Sequence, residues 1–507
     1  MSGSTYGYLV AFASATGGLL FGYEIGVIGQ VLSLDTFAYD FKAMELPLRK
    51  NEKGFVKNST YTSLNQWSTF IFLAGCALGA IMVSYLADSL GRKRTILASG
   101  LLFLIGAAGQ TFAPVGDAIF TFFYGGRFIG GLGIGMASMC VPLYISETAP
   151  TAIRGRMITI QQLMITIGIL VAAIVNAVII SVMEPEDGFS AETLVSGDKS
   201  HEWRYALSAQ MVPAAFLVVI MFFMPESPRW LAMKDRNEEA LTTLAKLQSL
   251  ATTDSSIQTE YKDILDDVQT ERAIGNGSWG ELFSPGIARR TFITFFLQLF
   301  QQWTGINVIF YYGPQILQNM GLSKKVAQVQ GSITNNVVNF LSTFPGMYFV
   351  ESFGRRSLFI YGGIAMFVSQ FIMTACLTIG NQKDTVLNII ALISVCTFTL
   401  GFGSTWGPCA WVYQSEVFPL RVRAKGTGLA TFSNWANGAL VSYLNPIILD
   451  AIPNQLFAVY GCMDVLATIF AYTFVPETAG KSLEDMEEIF GSTDSSLTGA
   501  SLEAQKK

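Results

Sequence analysis

Twelve stretches of this chain are apolar for long enough to cross a hydrocarbon layer as helices, and that count leaves few folds open. They fall at residues 7–32, 64–87, 95–113, 118–144, 157–183, 204–224, 291–319, 328–350, 357–379, 386–415, 427–449 and 453–475. Each is close to or above the ~20 residues that a helix needs to span a bilayer. Lipid offers no water to backbone N–H and C=O groups, so runs of this kind are expected as continuous helices. Of the 507 residues only 14% are charged, and the charges gather between the runs. No basic segment with a cleavage site precedes the first run, which therefore reads as a span rather than a removed signal. The expectation is an all-α membrane protein with twelve transmembrane helices.

Lys and Arg set the expected orientation, because cytosolic loops are enriched in them. The segments around 92–94, 154–156, 226–290, 355–356 and 421–425, together with the C-terminal stretch, carry more of them than the loops in between. Both termini are thus expected in the cytosol. The long loop 33–63 then lies outside, and its Asn58-Ser59-Thr60 sequon makes Asn58 a glycan acceptor on that side.

The charged segments repeat. After the second run stands Asp88-Ser-Leu-Gly91-Arg92-Lys93-Arg94, and after the eighth Glu351-Ser-Phe-Gly354-Arg355-Arg356. After the fourth run stands Glu147-x-x-Pro150-x-x-x-Arg154-x-Arg156, and after the tenth Glu416-x-x-Pro419-x-x-x-Arg423-x-Lys425. Two unrelated motifs recurring in the same order at nearly the same offset point to an internal duplication. Six spans plus six is the parallel-repeat architecture of a rocking transporter. The domain expectation is an N-terminal half at 1–225, a cytosolic helical linker at 226–290, a C-terminal half at 291–476 and a cytosolic tail at 477–507. Asp88, Arg92, Glu147, Arg154, Glu351, Arg355, Glu416 and Arg423 are candidates for a clamp joining the halves on the cytosolic side, since Arg forks bind carboxylates well. Such a clamp would favour the outward-open state. Plain positive-inside anchoring is the alternative.

Within the apolar runs the polar residues are few. Leu297 to Gly313 spends its polar side chains on amides and carries no charge. Gln298, Gln301 and Gln302 fall at i, i+3 and i+4 on one helical face, and Asn307 borders that face if Gly305 loosens the backbone. Amides both donate and accept, so this set suits a neutral, hydroxyl-rich ligand; hydrogen bonding between helices of a bundle is the alternative. Glu24 lies among Gly17, Gly18, Gly22, Gly26 and Gly29 of the first run, residues that permit close helix packing. An acid at that depth is a functional candidate, and Arg127 in the fourth run is its expected partner, unless the two form only a structural ion pair.

Other classes are disfavoured. All six cysteines lie within the runs, which argues for buried thiols rather than a disulfide framework. The glycines near Arg127 do not complete a dinucleotide fingerprint, and no phosphate-cradling Walker sequence is present. The single histidine, His201, has no metal-ligand spacing around it, so neither an enzyme nor a bound metal or cofactor is expected. A net charge of −5 with no dense basic cluster gives no indication of nucleic acid.

The motifs GRKR at 91–94, GRRS at 354–357, PLYISETAPTAIRGR at 142–156, PESPRWL at 225–231, QQWTGIN at 301–307, WVYQSEVFPLRVR at 411–423 and PETAG at 476–480 together resemble the sugar porter family of the major facilitator superfamily over nearly the whole chain. Ser84, Ala479 and Thr304 depart mildly from that family's usual Gly, Lys and Ser. The resemblance implies two pseudo-symmetric six-helix halves and a monosaccharide, hexose first, moved by alternating access through a monomeric unit in the plasma membrane. It implies sugar contacts at Gln162, Gln298, Gln301, Gln302, Asn307, Asn339, Trp411 and Asn434, with one further polar contact missing because Gly403 stands where relatives often have an acid or another polar group. Proton-coupled members carry Asp at the position of Glu24, which implies symport through Glu24 and Arg127. A facilitative uniporter and a non-transporting sugar sensor of the same fold are the alternatives.

Overall fold

The computed structural model describes residues 5–45, 56–57, 59–116, 118–149, 154–183, 201–275, 277–319, 326–379, 385–479, 481, 486 and 489–490. Asn58 lies outside them. Twelve helical passages occupy the expected positions. The first six are formed by α1 (Thr5–Val31), followed by a short α2 (Asp35–Asp40), then α3 (Ser59–Leu90), α4 (Arg92–Thr111), α5 (Ile119–Thr148), α6 (Arg154–Met183) and the consecutive pair α7 (Glu202–Ala209) and α8 (Met211–Phe223). Between the halves come α9 (Pro228–Met233), α10 (Asn237–Gln248), α11 (Ser255–Ile274) and a 3-10 turn at Trp279–Phe283. The second six passages are α12 (Ala288–Trp303) with α13 (Ile306–Asn319), a π-turn at Ala327–Gly331 running into α14 (Ser332–Ser352), α15 (Arg355–Ile379), α16 (Thr385–Ser404) with α17 (Trp406–Glu416), α18 (Arg423–Ala451) and α19 (Leu456–Phe474). A two-residue antiparallel pair, β1 (Met44–Glu45) with β2 (Val56–Lys57), adds a small strand element that the helical reading did not anticipate.

Eight of the passages are long and apolar enough on their own to cross a membrane. The other four are diluted by the residues that give the protein its character: the Arg92-Lys93-Arg94 start of α4, the break between α12 and α13, and the polar segments of α14 and α18. Large apolar side chains such as Val182, Phe223, Tyr361 and Ile379 are each more than 70% exposed on the outer surface, which in a water-facing monomer would be an unusual apolar burden. Cys462 also faces outward, against the expectation of buried thiols, because its side of α19 is the lipid-facing one; Cys396 is half-buried and the other four are buried.

Close packing of α1 follows from its glycines. Gly18, Gly22 and Gly26 recur every fourth residue and meet the carbonyls of Gln161, Ile165 and Ile169, which recur every fourth residue along α6. A Cβ at Gly22 would overlap the Ile165 carbonyl, so the two backbones approach as only glycine permits. Gly29 meets the backbone of Phe310 and Tyr311 in α13 of the other half.

The halves are joined at one end and parted at the other. On the side of the 33–63 loop, Gln328 donates to the Ser33 hydroxyl at 2.8 Å, Thr62 to Asp450 at 3.0 Å and Gln66 to the Tyr443 carbonyl at 3.2 Å. Trp67 adds an edge contact to Tyr443, with ring centroids 5.5 Å apart. Deeper in, Thr343 donates to Thr166 at 3.2 Å and Trp435 to Ser138 at 3.2 Å. On the linker side a cavity of about 990 Å³ lies between the halves, reaching inward from Asp88, Glu147, Arg421 and Lys425 to Gln161, Gln162, Trp411 and Gln414.

Candidate substrate site and ion pairs

The seventh passage breaks just past the amides. The hydroxyl of Thr304 bonds back to the Gln301 carbonyl at 2.8 Å, and Gly305 follows with φ of 85°. A residue with a Cβ is strained in that left-handed region and would here also press into the Tyr460 ring. The break turns Asn307 back toward Gln302, to which it donates at 2.5 Å. Gly305 therefore does what the sequence required of it.

Around this break the amides form a closed network. Gln302 donates to Asn434 Oδ1 at 2.8 Å, and Asn434 donates to Gln298 Oε1 at 2.6 Å and to Gln301 Oε1. Gln301 donates to the carbonyls of Gly407 at 3.1 Å and Trp406 at 3.3 Å. Gln298 donates to Gln414 at 2.9 Å, and Gln414 to Thr431 at 3.4 Å. Gln298, Gln301, Gln302, Asn307 and Asn434 are all at most 8% exposed. The network meets the cavity through Gln414 and Thr431, which line it, as do Gln161, Gln162 and Trp411. Gln161, Gln414 and Thr431 were missed by sequence reasoning; only the adjacent Gln161-Gln162 pair offered a signal.

Asn339 is buried beside Gly403. A Cβ at Gly403 would meet the Ser342 hydroxyl and, at 3.2 Å, Asn339 Oδ1. The space that a larger residue would take is thus filled by two polar groups from α14, and the glycine is required by their approach.

Glu24 and Arg127 are joined in a buried ion pair, each side chain 1% exposed. Arg127 also donates to the Ser68 carbonyl at 2.7 Å and stands over the Phe72 ring, 4.4 Å from its centroid. Glu24 Oε2 has no hydrogen-bond partner among the described residues. The pair connects α1 to α5 and α3 within one half.

The charged clusters obey the repeat closely. Arg92 bonds to Glu147 at 2.9 Å and Asp88 at 3.1 Å, while Glu147 accepts from Ser227 at 2.5 Å. Arg355 bonds to Glu416 at 2.8 Å, and Glu416 accepts from Thr478 at 2.9 Å. Gly91 and Gly354, both with positive φ, open α4 and α15. At each, a glutamate accepts from the first N–H groups of the helix: Glu226 from Lys93 at 3.0 Å, and Glu477 from Arg355 at 2.8 Å and Arg356 at 3.1 Å. An acid at a helix N-terminus is favoured by the exposed N–H groups and the helix dipole. Burial pushes the Glu226 carboxyl above its ordinary range, opposed by those N–H bonds. The PES at 225–227 and PET at 476–478 are thus a third repeated element, lying within the PESPRWL and PETAG motifs.

These ion pairs tie helices of the same half, whereas a clamp between halves was expected. The physical reason is the cavity, which separates the two clusters and which Asp88, Arg92, Glu147 and Arg423 help to line. Arg423 itself donates to the Phe418 carbonyl at 3.2 Å. The side chains of Arg154 and Glu351 lie outside the described part of the structure.

A sequence profile of the family described as Sugar (and other) transporter matches residues 10–490. The chain is similar to the major myo-inositol transporter IolT of Bacillus subtilis, 33% identical over 488 residues that make up 96% of this chain and 95% of that protein. It is similar to the glucose transporter GlcP of Staphylococcus epidermidis, 34% identical over 482 residues, 95% of this chain and 96% of that one. Among solved structures it resembles the proton:xylose symporter XylE of the major facilitator superfamily, bound to 6-bromo-6-deoxy-D-glucose. That match has a TM-score of 0.78 and 28% identity, and covers 96% of this chain and 100% of the other.

Proposed function

The chain belongs to the sugar transporter family of the major facilitator superfamily and is an integral membrane sugar transporter, and from that premise we propose that it carries a monosaccharide, hexoses first, together with a proton. The observation that carries the substrate reading is the amide network at the break of the seventh passage. Its donors and acceptors are matched to one another, and sugar hydroxyls offer the same pairing capacity. A net hydrogen bond is worth only about 0.5–1.5 kcal/mol, so exchanging amide partners for hydroxyls is close to neutral, as reversible carriage requires. Trp411, which lines the cavity, supplies a ring for the apolar face of a pyranose.

The domain boundaries follow the repeat, with halves at 1–225 and 291–476, the linker at 226–290 and a tail from 477. The Lys and Arg distribution supports a cytosolic linker and cytosolic termini, so the cavity described here opens inward, and the membrane we propose is the plasma membrane. For coupling, Glu24 takes a proton from outside and releases Arg127; once the sugar has left inward, the carboxyl gives up the proton and the pair re-forms. The closed pair in an inward-open arrangement supports that order. The XylE resemblance supports proton coupling as a class. The test is reconstitution of the protein into liposomes with a screen of hexoses, pentoses and uronates for counterflow and for sugar-induced proton uptake. Counterflow without proton movement would make the protein a uniporter; no counterflow with any monosaccharide would overturn the substrate assignment.

A further inference from the structure

Asp464 is a second acid within the apolar runs that neither the repeat nor the substrate network uses. It lies on α19 and is 0% exposed. Its Oδ2 accepts from Gln370 Nε2 of α15 at 3.1 Å, and the same amide group donates to the Thr304 carbonyl at 2.7 Å. Thr304 is the last residue before the break in the seventh passage, so the pair touches the element that organises the substrate site. Two acceptors in this pair have no partner among the described residues: Asp464 Oδ1 and Gln370 Oε1. An ionised carboxylate buried with a single donor is costly, and an orphaned amide oxygen beside it adds to that cost.

We propose that Asp464 is a proton-binding site of the C-terminal half, with the proton on Oδ1 and donated to Gln370 Oε1. A protonated carboxyl carries one O–H donor, so a single proton satisfies both orphaned oxygens at once. Acid and amide then form a two-bond pair that fixes the Gln370 side chain against the Thr304 carbonyl. Among the described residues no charged group bears on Asp464 from α12, α15 or its own helix. The titratable group one turn away, Tyr460, directs its hydroxyl to Asn445 of α18. A proton is therefore the ligand that fits, rather than a metal cation, for which the described residues offer one carboxylate and no second acid. The inference uses none of the reasoning about Glu24, and it would stand if the protein were a uniporter.

The experiment is infrared spectroscopy of the purified full chain in lipid nanodiscs at neutral pH. The parent protein and Glu24→Gln are expected to show the carbonyl band of a buried protonated carboxyl, and Asp464→Asn to lose it. Gln370→Leu is expected to keep that band but shift it to higher wavenumber, because the carbonyl loses its amide donor. Counterflow supplies a second reading on variants with unchanged melting temperature: Asp464→Asn, whose amide donates as the acid does, retains it, and Asp464→Leu loses it. A band that survives Asp464→Asn, or equal counterflow in the Asn and Leu variants, would overturn the proposal.

Discussion

At the position of Gln301 three partners converge: it accepts from Asn434 and donates to the carbonyls of Trp406 and Gly407. Gln301→Ala leaves those carbonyls and the ligand without a donor, and we expect a loss of about 1–3 kcal/mol in sugar binding. Each 1.4 kcal/mol is about tenfold in affinity, which titration of counterflow against substrate concentration resolves. Unchanged affinity would remove Gln301 from the site. Glu24→Gln keeps the shape of the buried pair but cannot take up a proton, so it should abolish accumulation against a gradient and sugar-induced proton uptake while exchange continues. Accumulation surviving in Glu24→Gln would refute this role. The amides and Glu24 were legible in the sequence because polar groups in apolar runs stand out. Asp464 carries the same signal, an acid in an apolar run, without a charged partner in its own run to mark it. The pairing of Asn434 with Gln298, Gln301 and Gln302 was beyond sequence periodicity, since it joins helices more than a hundred residues apart in the chain.

Among the elements, the break between α12 and α13 is held from three sides: by the Thr304 hydroxyl on Gln301, by Gln370 on the Thr304 carbonyl and by the Tyr460 ring against Gly305. Gly305→Ala meets two penalties. The left-handed backbone costs a residue with a Cβ about 1–2 kcal/mol, and the new methyl strikes Tyr460. A lowered melting temperature and weaker transport are expected, and Gly305→Ala combined with Tyr460→Ala, which removes the ring atoms nearest the new methyl, should recover only the steric part. Full recovery in the double variant would show that the backbone conformation is not limiting. The existence of all twelve passages was readable from hydropathy, yet this break was visible only as a glycine with permission to bend. The π-turn before α14 and the β1–β2 pair were not readable at all, because each depends on contacts made after the helices have packed.

For the molecule as a whole, the repeat places the same device on each half: an Arg held by a Glu, that Glu held by a hydroxyl from a PES or PET segment, and a second Glu capping the next helix. In the arrangement described here both devices are closed within their own halves, and the cavity between them is flanked by Asp88 and Glu147 with their partner Arg92 on one wall, and by Arg421, Arg423 and Lys425 on the other. Closing the cavity brings those walls together, so the clusters can favour the outward-open state only through contacts that form on closure. Surface ion pairs contribute about 0–1 kcal/mol each, but a shift of 1.4 kcal/mol changes the ratio of two states about tenfold, and several pairs act in concert. Neutralising Glu147 removes an acid from that closure and leaves Arg92 without its carboxylate, and neutralising Glu416 leaves Arg355 without its own. We expect both Glu147→Gln and Glu416→Gln to move the population inward, with the double variant moving it further. An introduced cysteine that is reachable only from outside in the outward-open state should then react more slowly in each variant. Ser227→Ala is the control, since it removes a hydrogen bond from Glu147 without removing the charge. Equal labelling rates with and without the carboxylates would mean that the clusters only brace each half and anchor it to the membrane.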